Sequence, residues 1–193
     1  QQLVRGHSAI MLDDGKEYLV ESRLSTLAAS AGYGSLEELI AALRHRPVGI
    51  LHRKVIEAMT TNETTFFRDV HPFEALRVTI FPELIARNEA RRPRPIWCAA
   101  CSTGQEPYTI AMLVREHFPE LLGWDLTILG TDLSGEVIDR ARVGLYSGLE
   151  VGRGLPASYL GRFFHRQGAE WQIAEEVRGM VEFRELNLCD SWG

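Results

Sequence analysis

The sequence predicts a helical N-terminal domain followed by an α/β domain built on a doubly wound parallel sheet, and three observations carry that reading. Residues 1–85 place their apolar side chains at helical spacing. Residues 86–95, "ARNEARRPRP", are charged, contain proline and have no apolar face, as a linker would. Beyond them, short apolar runs alternate with helical stretches in the order strand–helix–strand–helix–strand, the grammar of parallel βαβ units.

The elements follow in order. Val20, Leu24, Leu27 and Ala31 form a helical stripe from about Lys16 to Ser30, ended by "AGYG". Ser35 with Glu38 three residues later is a capping-box signature, and Leu36, Leu39, Ile40 and Leu43 supply the apolar face behind it. Pro47 and Gly49 break that helix, and Val55, Ile56 and Met59 predict another. Phe73, Leu76, Ile80 and Leu84 mark a further helix, bent or stopped near Pro82. "IWCAA" (96–100) and "LTILGTD" (126–132) read as strands, with a helix from about Glu106 to His117 between them. "SGEVIDRARVG" reads as a helix with Ser134 as N-cap, and "MVEFRELN" (180–187) as the third strand.

Bulk properties narrow the function. A hydrophobic content of 45% and a charged content of 24% over 193 residues are ordinary for a globular protein. The net charge of -5 argues against general nucleic-acid binding. No apolar run reaches the roughly 20 residues of a membrane span, and the N-terminus is no signal peptide. Cys98, Cys101 and Cys189 form no disulfide framework, which favours a reducing cytoplasm. Cys98 and Cys101 have C-x-x-C spacing but no second Cys/His pair, so they read as small core residues and no metal is expected.

In a doubly wound sheet, ligands bind where strands turn into helices. "AACSTGQEPY" occupies the first such turn. Its small residues let backbone approach a ligand, Gly104 permits a tight bend, and Pro107 suits a first helical turn. The turn lacks G-x-G-x-x-G and the P-loop pattern, so neither a dinucleotide nor a triphosphate is favoured. It offers instead Glu106, suited to a cationic or amine-bearing ligand. Asp132 closes the second strand, placed either to accept ribose hydroxyls or to help start the next helix. Asn187, ending the third, either reads a base edge or serves a turn. S-adenosylmethionine fits Glu106 and Asp132 together.

"WCAACSTGQEPYTIAM" together with "TTNETTFFRDVHPF" (60–73) closely resembles the CheR-type chemoreceptor methyltransferases, and the resemblance covers nearly the whole chain. It implies a helical domain (1–85), the linker, and a Rossmann-like methyltransferase domain (96–193) with a small antiparallel insert at about 163–180. The implied activity is S-adenosylmethionine-dependent O-methylation of protein glutamates, releasing S-adenosylhomocysteine. By similarity Asn62, Thr64, Arg68, Glu106, Asp132, Asn187 and Leu188 contact the cofactor or the reacting groups, with Arg68 as the catalytic candidate. Without the resemblance, Arg68 reads as a surface partner of Asp69 or Glu74. The implied partner is the cytoplasmic helical domain of a chemoreceptor, met by a monomer through basic residues Lys16, Arg23, Arg53 and Lys54; the bland reading of these four is a solvated helix face. The short turn in "RQGAEWQI" resembles members that do without a receptor C-terminal peptide.

A carboxylate nucleophile is already ionised near neutral pH, so the expected catalysis is positioning, without a general base. Two other function classes stand beside the methyltransferase: a non-catalytic module that binds S-adenosylmethionine or docks a receptor, and a nucleotide-dependent oxidoreductase, disfavoured by the missing glycine fingerprint. The family's next strand-end motif, an Asn and a Tyr, does not follow "NLCDSWG". A truncated methyltransferase domain with weakened cofactor binding is therefore expected.

Overall fold

The computed structural model describes residues 2–8, 10, 15, 17–87 and 94–190. The chain forms two compact units, one of Gln1–Thr61 with Asn187–Gly193 and one of Asn62–Leu186.

The first unit is helical: α1 (Gln2–Ser8), α2 (Glu17–Ser30), α3 (Leu36–His45) and α4 (Ile50–Ala58). Its core gathers Val4, Leu24, Ala28, Leu39, Val55 and Met59; of the stripes read from sequence Leu24, Leu39, Val55 and Met59 are in it, Val20, Leu27, Leu36 and Leu43 pack partly buried against it, and Ala31 and Ile40 are exposed. Ser35 Oγ accepts the Glu38 N–H at 3.2 Å, while Glu38 Oε2 accepts from Gly34 N–H at 2.8 Å. The capping pair therefore forms with its return bond shifted one residue outward.

The second unit opens with α5 (His71–Ala75), a π-helical turn (Leu76–Ile80) and α6 (Phe81–Ala86). The π turn, with Phe81 N–H bonded to Leu76 O, precedes Pro82, whose ring and missing N–H disfavour an unbroken α-helical ladder. The chain then runs through β1 (Arg94–Ala99), α7 (Gln105–His117), β2 (Leu126–Asp132), α8 (Gly135–Val143), β3 (Leu145–Ser147), α9 (Gly148–Val151) and α10 (Ala157–Phe163). It continues with β4 (Phe164–Gln167), β5 (Glu170–Ile173), α11 (Glu175–Arg178) and β6 (Val181–Glu185).

The main sheet is parallel with order β1-β2-β6, pairing Ala99 with Thr131 and Asp132 with Glu185. The carboxyl ends of the three strands therefore share one edge. The second sheet is antiparallel, order β3-β5-β4. Its β4–β5 hairpin falls inside 163–180; β3 joins it from residues just past the helix read as "SGEVIDRARVG", where no element was read. Three residues are too short to carry a periodic signal.

The division at Thr61 differs from the linker read at 86–95, of which residues 88–93 lie outside the described structure. The reason is packing. Phe66, Phe73 and Phe81 are buried in one cluster with Phe118, Tyr146, Phe164 and Phe183. Phe66 meets Tyr146 and Phe164 edge-on at 5.1 and 5.5 Å, and Phe81 meets Phe118 at 5.2 Å. The helices of residues 71–86, and the loop before them, therefore belong to the α/β core.

Candidate active site

Two tight segments meet at the carboxyl edge of the sheet. The first is the β1–α7 turn, where Ala100, Ser102 and Gly104 take φ of 55°, 51° and 90°. The second is the loop before α5, where Phe67 and Asp69 take 52° and 59°. Among the described residues, these four are the non-glycine positions in the left-handed region, and all lie in the two motifs singled out from sequence. Such conformations persist only where surrounding contacts over-determine them.

Those contacts are hydrogen bonds. Asp132, 7% exposed at the tip of β2, accepts Ser102 N–H at Oδ2 (2.8 Å) and Ser134 N–H at Oδ1 (3.0 Å). Ser134 occupies the N-cap of α8 without a side-chain cap bond, so the helix-starting role foreseen for Asp132 is real. It still leaves about two of the carboxylate's roughly four acceptor positions free. Ser102 Oγ donates to the Asn62 carbonyl at 2.9 Å, joining the loop to the turn. Tyr146 OH donates to Thr103 O at 2.7 Å, and Phe67 N–H to Thr109 Oγ1 at 3.3 Å, which closes the frame from below.

Glu106 lies in the first turn of α7 and is exposed. Cys98 and Cys101 are buried, each 2% exposed, as core thiols should be. Burial pushes the Cys98 thiol up, and the neighbouring Glu106 carboxylate pushes it further. Burial, then Asp132 and more weakly Glu106, push Cys101 up to about 12. Both acids thus act on the same buried sulfur, and the turn carries concentrated negative charge beside small, exposed Ala99 and Ala100. Among the described residues no group of three potential ligands is arranged to hold a metal.

The other residues divide. Thr64 is half-buried and Asn62 exposed in the loop. Arg68 is exposed; Nη1 donates to Glu63 O at 2.6 Å, and Nε stands 3.9 Å from Asp69 Oδ2, the surface pairing foreseen as its alternative role. Glu74 pairs with Arg77 instead. Asn187 Oδ1 accepts Cys189 N–H at 3.1 Å, the turn duty weighed for it, and Leu188 is exposed; both group with the first unit. Arg53 and Lys54 are exposed on α4, and Lys16 lies outside the described residues. Arg23 is half-buried and donates to the carbonyls of Met59 (3.1 Å) and Thr60 (3.0 Å), so it closes the end of α4. Sequence reasoning missed Ser102, whose small polar side chain looks like ordinary turn chemistry, and the closeness of Glu106 to the Cys98 thiol.

Comparison with known proteins agrees with this architecture. The family model described as CheR methyltransferase, SAM binding domain, matches residues 62–193, and that of the CheR methyltransferase all-alpha domain matches residues 1–60. The chain is 43% identical over 187 residues to chemotaxis protein methyltransferase Cher2 of Pseudomonas putida, covering 95% of the chain and 68% of that protein. It is 44% identical over 187 residues to chemotaxis protein methyltransferase 1 of Pseudomonas aeruginosa, with the same coverage. With the chemotaxis protein methyltransferase of Vibrio parahaemolyticus it shares 39% over 198 residues, covering 99% of the chain and 70% of the relative.

Proposed function

The chain belongs to the CheR methyltransferase family, and on that premise we propose that it transfers the methyl group of S-adenosylmethionine to glutamate side chains of bacterial chemoreceptors, forming methyl esters in the cytoplasm. The observation that carries the reading is that buried Asp132 accepts Ser102 N–H at the tip of β2, in a turn tied through Ser102 Oγ to Asn62 of the arginine-bearing loop. The donor set fits this cofactor, since an acidic, small-residue surface with free acceptor positions suits a cationic ligand carrying an amine and vicinal hydroxyls.

When bound, the cofactor supplies a methyl group activated by a positively charged sulfur. The chain's own residues supply position. Glu106 offers the counter-charge for the amine, and the free acceptor positions of Asp132 take the ribose hydroxyls. Asn62 and Thr64 bring the loop to the cofactor; Asn187 and Leu188 are carried as cofactor contacts by the family resemblance alone. Arg68 orients a carboxylate, which requires its side chain to exchange the Glu63 carbonyl for that ligand. The accepting glutamate titrates at about 4.3 when unperturbed, so it arrives ionised and no general base is needed. Holding oxygen and carbon at about 3–3.5 Å with water excluded is the remaining task.

Receptor docking falls to the α3–α4 side of the first unit. The outward face of α2 carries Glu17 and Glu21, and Arg23 is occupied with α4. Arg53 and Lys54, with exposed Arg44 and Arg46 nearby in sequence, form a basic surface suited to acidic receptor helices.

The test is tritiated methyl transfer to a receptor cytoplasmic fragment. Base-labile label is expected, and it should be lost in Glu106→Gln. Arg68→Ala should lower transfer; an accompanying rise in the Kd for S-adenosylhomocysteine assigns the guanidinium to the cofactor's carboxylate, and an unchanged Kd assigns it to the substrate's. Tight S-adenosylhomocysteine binding with no transferable label would leave a binding module and overturn the catalytic reading.

A further inference from the structure

Ser102 presents a contradiction that its hydroxyl resolves. It is 5% exposed and holds φ at 51°, a conformation disfavoured for any residue with a Cβ. Glycine would take that backbone freely and would still present the N–H that Asp132 accepts. What glycine would lack is Oγ, and Oγ makes one bond, to the carbonyl of Asn62, 40 positions earlier. Every polar group of the residue is engaged: N–H with Asp132, Oγ with Asn62, and the carbonyl with the Cys101 thiol at 3.8 Å.

We propose that Ser102 is the positioning residue that holds the 62–68 loop against the β1–α7 turn and so sets where Arg68 stands relative to Asp132 and Glu106. The loop has few other fastenings. Phe66 anchors it in the core and Phe67 N–H holds Thr109, but both lie C-terminal to Asn62 and Thr64. At its N-terminal end the Ser102 hydroxyl is the bond that links it to the turn. Releasing it frees residues 62–65 from the turn while Phe66 stays buried and Arg68 keeps its bond to the Glu63 carbonyl. The role rests on the reading that the loop and the strand tips form one site.

Ser102→Gly and Ser102→Ala both delete the hydroxyl and keep the amide. The glycine variant also relieves the left-handed backbone, so it should fold as readily as the parent. In ligand-free protein, amide hydrogen exchange of residues 62–68 should rise about tenfold in both variants, with β2 amides unchanged. Methyl transfer should fall about tenfold in kcat. In an Arg68→Ala background the Ser102 substitutions should cost nothing more, because a residue acting through the loop cannot remove its contribution twice. Unchanged exchange in the loop, or losses that multiply with Arg68→Ala, would overturn the positioning role. Full activity in Arg68→Ala alone would instead overturn the site reading, a separable outcome because loop exchange is measured without ligand or turnover.

Discussion

Gly154, in the segment between α9 and α10, tests whether the 60–70 loop is held by the α/β unit as tightly as its geometry implies. Its φ is +82°, and a Cβ built there would stand 2.1 Å from the carbonyl oxygen of Phe66. A carbon–oxygen contact needs about 3 Å or more, so Gly154→Ala must displace backbone on one side by roughly 1 Å. Two costs add. The left-handed conformation disfavours alanine by about 1–2 kcal/mol, and overpacking against a backbone carbonyl adds about 1–3 kcal/mol. Gly168→Ala separates them, since Gly168 has φ +64° and open space around it. Gly168→Ala should therefore cost about 1 kcal/mol and Gly154→Ala about 3 kcal/mol, a Tm difference of roughly 4–8 °C for a domain of this size. Thermal unfolding of both variants side by side measures it, and methyl transfer should fall in Gly154→Ala because Phe66 carries the loop. Equal destabilisation by the two substitutions would refute the close approach and, with it, the claim that packing at Phe66 places the loop.

Four further outcomes are expected. At pH 8 the folded protein should react with iodoacetamide at exposed Cys189 alone, and at all three cysteines in denaturant. Because Cys101 is raised in the folded state from an ordinary value of 9.0 to about 12, the unfolded chain loses that proton first; stability present below pH 9 should decline as pH rises toward 12, as urea titrations at pH 8 and 10 would measure. Arg53→Glu with Lys54→Glu should lower kcat/KM for a receptor fragment about tenfold at low salt and much less at high salt, since screening removes the steering term. Arg23→Glu should appear chiefly as lost stability, because its partners are the Met59 and Thr60 carbonyls.

The local features were legible in the sequence because their causes are local. Helical spacing marked α2, α3 and α7, the run 126–132 was strand β2 to the residue and put Asp132 at its end, and the turn chemistry of "CSTGQEP" put Glu106 at the start of α7. Period-3.6 patterning, caps and small-residue turns act over a few residues, and the topology of a parallel sheet then brings the strand ends to one edge.

Only the tertiary structure decided which core each helix joins. Residues 71–86 are as helical in pattern as residues 17–58, yet Phe73 and Phe81 are buried with Phe118 and Phe164, because an apolar stripe states that it will be buried and not against what. The same holds for Arg23, whose charge on an outward-looking helix suggested docking until the end of α4 took it up. It holds most of all for Ser102, whose hydroxyl has meaning only through Asn62. Periodicity and turn chemistry thus specified the elements, whereas contacts between positions 30 or more residues apart, which leave no local pattern, brought the loop and the turn together.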